Sequence, residues 1–264
     1  MTDRRPARRC VGPAVQAALR QEFATLVDAL ATGRRVHEDV HAARKSIRRL
    51  RALLALLEDT GLELGPCDQH LRELGDGLSA LRDAHVVVAT ARSLSGKDAG
   101  LPWGELVEVL RARRASLLEA SLAEDPGFQQ RRQRVVGTAA AIDALSWDQV
   151  KRKHLRAALR RSQRRLTKAA RRSDQSSDPE AAHRWRRKAR RLRMQLEWMA
   201  GLGIPCETTV GGGATGGDAK ALHRLSNRLG RQQDLQVLAD TLEAMPELAD
   251  QPVLLESLHK RLSA

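Results

Sequence analysis

Aromatic residues are nearly absent from this sequence, which contains no Tyr, two Phe and four Trp among 264 residues. Sheets favour β-branched and aromatic side chains, whereas a core rich in Leu and Ala suits packed helices. The lack of Tyr and Phe also leaves few rings on which single-stranded bases could stack. These absences favour an all-α fold and disfavour proteins that read unpaired bases.

Cysteines and long apolar runs are scarce as well. Cys10, Cys67 and Cys206 are odd in number and form no C-x-x-C pair, so neither a disulfide framework nor a thiolate zinc site is expected. No run approaches the roughly 18 apolar residues of a membrane span, and no apolar stretch near Met1 could serve as a signal peptide. We therefore expect a cytoplasmic protein with no membrane partner.

Acidic residues are depleted in one segment of a strongly basic chain. The net charge is +14, and 38 of the 46 basic residues are Arg. Between Lys151 and Arg193 there are 18 basic and 3 acidic residues, so this segment carries +15 and the remainder −1. Codon bias explains an abundance of Arg but not this placement. The distribution predicts an acidic partner.

Apolar residues recur at helical spacing along nearly the whole chain. The predicted helices are 13–31, 37–59, 66–94, 101–122, 126–143, 147–172, 179–200, 218–245 and 250–262. Asp125-Pro126 and Asp178-Pro179 each place a capping carboxylate before a Pro, and Ser146-x-x-Gln149 has the form of a capping box. The Gly-rich segment 201–218 lacks the G-K-[ST] of a phosphate loop and is interpreted as a linker.

An internal repeat organises these helices. The segment His41-Ala-Ala-Arg-Lys-Ser-Ile-Arg-Arg-Leu-Arg51 recurs 142 residues later as His183-Arg-Trp-Arg-Arg-Lys-Ala-Arg-Arg-Leu-Arg193. Leu71, Leu74, Leu78 and Asp83 recur 151 residues later as Leu222, Leu225, Leu229 and Asp234. The repeat predicts two lobes of about four helices each, related by a pseudo-twofold axis.

Basic side chains follow one side of each repeated helix. They are His41, Arg44, Arg48 and Arg51 in the first copy and His183, Arg186, Arg190 and Arg193 in the second. The helix predicted over 147–172 adds a third row, made of Lys153, Arg156, Arg160 and Arg164. A solvated charged face is the alternative for any single row. Three rows of guanidinium forks instead predict a binding surface for phosphate groups, which such forks grip two oxygens at a time.

Two motifs suggest chemistry but are interpreted otherwise. His37-Glu-Asp-Val-His41 matches the H-E-x-x-H zinc signature, yet it contains Asp39, lies among Arg and Lys, and has Pro179 where the repeat would place its first His. We therefore expect no metal. Asp83 and Asp234 recur in the repeat, and we expect them to pair with a nearby Arg rather than to act as acid or base.

The repeated segments resemble the CHAD family, the histidine-containing α-helical domains. The signature helix H-x-x-R-K-x-x-R-R-L-R is matched from His41 and from His183, and a later L-G-x-x-R-D-x-x-V helix is matched from Leu78 and Leu229. Ser79 replaces the Gly of that motif in the first copy, and Gln233 replaces its Arg in the second. The resemblance extends over almost the whole chain, which we interpret as one domain, 10–264, with lobes of about 10–125 and 126–264.

The resemblance implies two pseudo-twofold-related four-helix bundles around a basic central cavity or groove that binds inorganic polyphosphate. Residue by residue, it adds Lys45, Arg49, Arg187 and Arg191 to the predicted contacts of the two rows. It also implies that the protein can associate with polyphosphate granules. We expect a binding protein without cofactor or catalytic residues, and a general DNA- or RNA-binding protein is the alternative.

Overall fold

The computed structural model describes residues 10–31, 35–96, 100–175, 179–206, 219–245 and 252–262, with side chains from 180 and from 222 onward in the fourth and fifth of these ranges. Within these ranges the fold is all-α, as predicted, and its only β feature is an isolated antiparallel bridge between Cys10 and Lys151. The helices are α1 Gly12–Leu30, α2 Val36–Leu54, α3 Gly65–Gly77, α4 Ser79–Ser95, α5 Trp103–Glu124, α6 Gln129–Asp143, α7 Arg152–Asp174, α8 Pro179–Gly201, α9 Ala219–Glu243 and α10 Pro252–Leu262.

One predicted helix is divided into two. The segment 66–94 breaks at Leu78, whose φ and ψ are −100° and 2°, so that α3 ends at Gly77 and α4 begins at Ser79. Gly75 and Gly77 weaken the helix at this point. The Gly75 carbonyl also accepts hydrogen bonds from Arg44 Nη1 and Ser79 Oγ, which hold the break in place.

Two of the predicted caps can be compared with the structure. Asp125 is a capping carboxylate as expected, because it accepts from the backbone N–H groups of Gln130 at 2.8 Å and Arg131 at 3.1 Å. The predicted helix start at Pro126 is wrong, since a 3₁₀ turn occupies Pro126–Phe128 and α6 begins at Gln129. The Ser146 prediction is wrong: Ser146 makes no side-chain cap bond, a short 3₁₀ turn occupies Trp147–Gln149, and α7 begins only at Arg152. Asp178 lies outside the described residues.

Helix packing follows the sequence repeat. The contact of α1 with α2 is matched by that of α7 with α8, and the contact of α4 with α5 by that of α9 with α10. Two further contacts, α2 with α8 and α4 with α9, join equivalent helices of the two halves. The halves therefore meet through their repeated helices.

The buried side chains form two hydrophobic cores, and each draws on both halves of the chain. The larger core contains residues of α1, α2, α3, α6, α7 and α8, and the smaller one contains residues of α4, α5, α9 and α10. The division into lobes near residue 125 and into two bundles stays a prediction. Most of the Gly-rich segment, 207–218, lies outside the described residues. In the part of the chain that the structure describes, no helix is both long enough and apolar enough to cross a membrane.

Candidate functional site

Helices α2 and α8 contact each other through side chains that bond to the opposite backbone. Trp198 Nε1 donates to the Arg49 carbonyl at 2.9 Å, and Gln195 Nε2 donates to the Ala52 carbonyl at 3.3 Å. The apolar sides of both helices face the larger core. Since each helix buries its apolar side there, its neighbouring basic side faces a space shared with α4 and α9.

That space is a cavity of about 650 Å³. Among the described residues, eight Lys or Arg side chains and one carboxylate line it, so its charge is strongly positive. Seven of the residues predicted from the sequence are among the lining residues. Helix α2 contributes His41, Arg44, Lys45 and Arg48; α4 contributes Arg82; α8 contributes Arg186, Arg190, Arg193 and Met194; and α9 contributes His223, Ser226, Asn227, Gly230, Arg231 and Asp234.

The cations of the cavity are crowded and poorly solvated. Burial, followed by repulsion from Arg44, Arg82 and other guanidinium groups, lowers the pKa of Arg48 to about 10. Burial and the neighbouring Arg186 and Arg48 lower the pKa of Arg190 to about 9. Both groups remain charged at neutral pH. The cavity therefore holds positive charge at an electrostatic cost that a bound anion would offset.

Several donors in the cavity have no acceptor. The Nε atoms of Arg44, Arg48, Arg186 and Arg193 are buried and make no hydrogen bond within the described part of the chain. A buried donor without a partner costs free energy, and native proteins seldom leave one unpaired. Oxygen atoms of a bound ligand would satisfy these donors.

Arg82 joins the two halves of the chain across the cavity. Its Nη1 contacts Asp83 Oδ1 at 2.8 Å, and its Nη2 contacts Asp234 Oδ1 at 3.2 Å. The predicted pairing of both repeated aspartates with a nearby Arg is confirmed. Arg82 itself was not among the predicted contacts, although its place beside the repeated Asp83 was a signal for it.

The lining residues of α9 were also missed. His223, Ser226 and Asn227 are neither Lys nor Arg, so a search for rows of Arg passes over them. Asn227 Nδ2 lies 3.1 Å from His223 Nε2. The sequence repeat was the available signal, since α9 follows α8 as α4 follows α2, and α4 supplies Arg82.

Two predicted contacts of α2 lie outside the cavity and are neutralised. The Nε of Arg49 donates to Glu22 at 2.8 Å, its Nη1 donates to Glu197 at 3.1 Å, and its guanidinium lies 4.5 Å from the Trp198 ring centroid. Arg51 forms two hydrogen bonds with Asp68, at 2.8 and 2.9 Å. These ion pairs tie α2 to α1, α8 and α3.

Three predicted contacts of α8 also lie outside the cavity. His183 Nδ1 lies 2.6 Å from Gln233 Oε1, the residue that replaces Arg in the second copy of the motif. Arg187 is exposed and contacts Glu180 at 2.9 Å. Burial and the nearby Arg51 lower the pKa of Arg191, which is partly buried.

The third predicted row lies on α7, which packs against α8 away from the cavity. Lys153, Arg160 and Arg164 are exposed, and Arg156 is half-buried. The structure therefore separates this row from the rows of α2 and α8. That the row binds an anion stays a prediction.

The H-E-x-x-H segment divides between two surroundings. His37 stacks on His85 with ring centroids 5.3 Å apart and an interplanar angle of 21°. Burial, Arg114 and His85 lower the pKa of His37. His41 lines the cavity, where desolvation and the charges of Arg48 and Arg82 lower its pKa. No group of three His, Cys, Asp or Glu suited to a metal occurs among the described residues.

Comparison with known proteins identifies the fold and the family. The family model described as CHAD domain matches residues 13–243. The CHAD domain from the plant Ricinus communis superimposes with a TM-score of 0.66 at 24% identity, covering 97% of this chain and 86% of that one. PptA from Streptomyces chartreusis superimposes with a TM-score of 0.61 at 16% identity, covering 96% of this chain and 97% of that one. Among proteins of curated function, none shows significant similarity to this chain. Since the family model spans most of its length, the chain belongs to the CHAD family.

Proposed function

We propose that this protein binds inorganic polyphosphate in the cavity between α2, α4, α8 and α9. The observation that carries the proposal is the composition of the lining, in which, among the described residues, eight Lys or Arg side chains accompany a single carboxylate, Asp234. Unpaired guanidinium nitrogens supply hydrogen-bond donors, and phosphate oxygens are the acceptors that suit them.

The chemistry of the lining favours a chain of phosphates over a nucleic acid. Apart from the imidazoles of His41 and His223, no aromatic ring lines the cavity in the described part of the chain. Proteins that hold single strands stack bases on aromatic side chains, and these contacts supply about 1–3 kcal/mol per base. Polyphosphate has no bases, so cations alone can bind every phosphate unit that enters the cavity.

We propose binding without hydrolysis. In the part of the chain that the structure describes, Asp234 is the one carboxylate that lines the cavity, and it is ion-paired with Arg82. It could act as a general base only by giving up that pair, which joins the two halves of the fold. Binding to polyphosphate in the cytoplasm, and association with polyphosphate granules, follow from the same proposal.

A competition titration at physiological salt tests the proposal. Labelled long-chain polyphosphate is bound to the purified protein and challenged with duplex DNA, single-stranded RNA and heparin, while released phosphate is followed in parallel. We expect submicromolar binding, displacement by the competitors only at large excess, and no phosphate release. Equal competition by DNA or RNA would instead show a general polyanion surface, and steady phosphate release would contradict the non-enzymatic part.

A further inference from the structure

Helix α7 has a natural counterpart within the same protein. Helix α1 packs on α2 as α7 packs on α8, and an offset of 140 residues superimposes their buried positions. The buried residues Val15, Leu19, Phe23, Leu26 and Leu30 of α1 correspond to Leu155, Leu159, Gln163, Leu166 and Ala170 of α7. The two helices therefore perform the same packing task.

Their charges are nonetheless opposite. Helix α1 contains Arg20, Glu22 and Asp28, a net charge of −1, whereas α7 contains ten basic residues and Asp174, a net charge of +9. Because α1 fulfils the packing role without such charge, the fold does not require it on α7. At the same offset, Gln21, Ala24, Thr25 and Asp28 of α1 correspond to Arg161, Arg164, Arg165 and Lys168 of α7.

The basic residues of α7 form a row on its outer side. Arg160, Arg164, Lys168 and Arg172 follow one another at intervals of four residues and are all exposed. At 1.5 Å per residue the row is about 18 Å long. Like charges at this spacing repel each other. None of these four makes an ion pair among the described residues, whereas the neighbouring Arg165 contacts Glu58 at 3.7 Å.

Cations of α8 connect this row with the cavity. Arg186 lines the cavity. Burial lowers its pKa, and the charge of the adjacent Arg187 contributes to the lowering. Arg187, Lys188 and Arg191 lie within about one turn of α8, and α7, which carries Arg165, packs against that helix. In keeping with this, burial and then the charges of Arg191, Arg165 and Arg187 lower the pKa of Lys188. We call this continuous surface the outer track. It consists of Arg164, Arg165, Lys168 and Arg172 on α7 and Arg187, Lys188 and Arg191 on α8.

We propose that the outer track binds the part of a polyphosphate chain that extends beyond the cavity. The inference rests on the proposed function and adds a second binding region to it. A cavity of about 650 Å³ holds only a short length of chain. The polymer leaving it meets the cations of the outer track, first on α8 and then on α7. Long chains thus bind more tightly than short ones of the same chemistry.

The test uses the full-length protein and two probes, tripolyphosphate and long-chain polyphosphate. The track variant carries Arg164→Gln, Lys168→Gln and Arg172→Gln, and all three residues are exposed and outside the cavity. The matched control carries Arg72→Gln, Arg92→Gln and Arg113→Gln, which removes the same charge from exposed positions on α3, α4 and α5. Circular dichroism checks that both variants fold.

We expect the track variant to bind long-chain polyphosphate about tenfold more weakly. The slope of the logarithm of its binding constant against the logarithm of the salt concentration should be smaller in magnitude by about 2, as three lost phosphate contacts imply. Its affinity for tripolyphosphate should stay within about twofold of the wild type, and the control should resemble the wild type with both probes. Unchanged long-chain binding, or an equal loss in the control, would overturn the track.

The outcomes separate the two proposals. If the wild type binds neither probe, the proposed function fails and the track fails with it. If the wild type binds both probes and the track variant binds both with the same affinities, only the track is wrong. Duplex DNA is measured as a third, comparison probe: if the track variant binds DNA more weakly than the wild type but keeps its affinity for long-chain polyphosphate, the surface serves nucleic acid and the inference is overturned.

Discussion

Arg190→Met is expected to stabilise the protein while weakening its ligand binding. Arg190 is partly buried and lies near Arg186, Arg48, Arg82 and Arg193, and it makes no ion pair or hydrogen bond among the described residues. Its charge therefore raises the free energy of the folded state without a compensating partner. Met keeps the length and the apolar character of the side-chain stem and removes the charge.

The magnitude follows from the depressed pKa. Arg190 has a pKa of about 9 in place of 12.5, and one pKa unit corresponds to about 1.36 kcal/mol. The charged form therefore costs at most about 5 kcal/mol in the folded protein. Water in the open cavity screens much of this repulsion, so we expect a gain of about 2 kcal/mol. In a chain of this size that is a rise in Tm of about 6 °C.

Thermal unfolding followed by calorimetry, with and without polyphosphate, measures both effects. Without ligand the Arg190→Met protein should melt above the wild type. With saturating polyphosphate the difference in Tm between the variant and the wild type should shrink or change sign, because a ligand gives the larger stabilisation to the protein that binds it more tightly. The exposed Arg113→Met on α5 is the control and should change stability by less than about 0.5 kcal/mol. A lower Tm for Arg190→Met without ligand would refute the argument from charge crowding.

Three further predictions concern binding, pH and stability. Arg48→Glu and Arg190→Glu should each weaken polyphosphate binding about tenfold to a hundredfold and weaken it more together, measured by fluorescence titration; no effect of either would contradict the site. His41 has a lowered pKa in the free protein, and a bound polyanion would raise that pKa. The affinity for polyphosphate should therefore increase as pH falls from about 8 to 6. His41→Gln should remove this pH dependence in calorimetric titrations. Arg49→Leu should destabilise the fold by about 2–3 kcal/mol in urea, because buried Glu22 loses its partner, and should leave tripolyphosphate binding within about twofold.

The pattern of apolar residues was sufficient to predict the helices and the repeat. Val40, Ala43, Ile47, Leu50 and Leu54 recur at helical spacing on the first signature helix, and all five are buried. Periodicity succeeds here because one helix face lies against the core. It failed at Leu78, where two glycines and a hydrogen bond from Arg44, a residue far away in sequence, interrupt an otherwise helical pattern.

The composition of the cavity could be predicted only in part. Arg44 and Arg48 face the cavity, whereas Arg49 and Arg51, which belong to the same run of basic residues, do not. The difference depends on acidic residues from other helices. Glu22 and Glu197 come within hydrogen-bond distance of Arg49 only after folding, and so does Asp68 for Arg51. No local pattern around these arginines carries that information.

The sequence by itself determined an all-α fold, a duplicated pair of helices and a concentration of positive charge between Lys151 and Arg193. These features follow from residue type and helical spacing, which are local. Only the tertiary structure decided which cations share a cavity, because that depends on how α2 and α8 cross and on what α4 and α9 bring beside them. It also decided that the row on α7 lies outside the cavity, since the apolar face of α7 must pack on α8 and thereby directs its basic face outward.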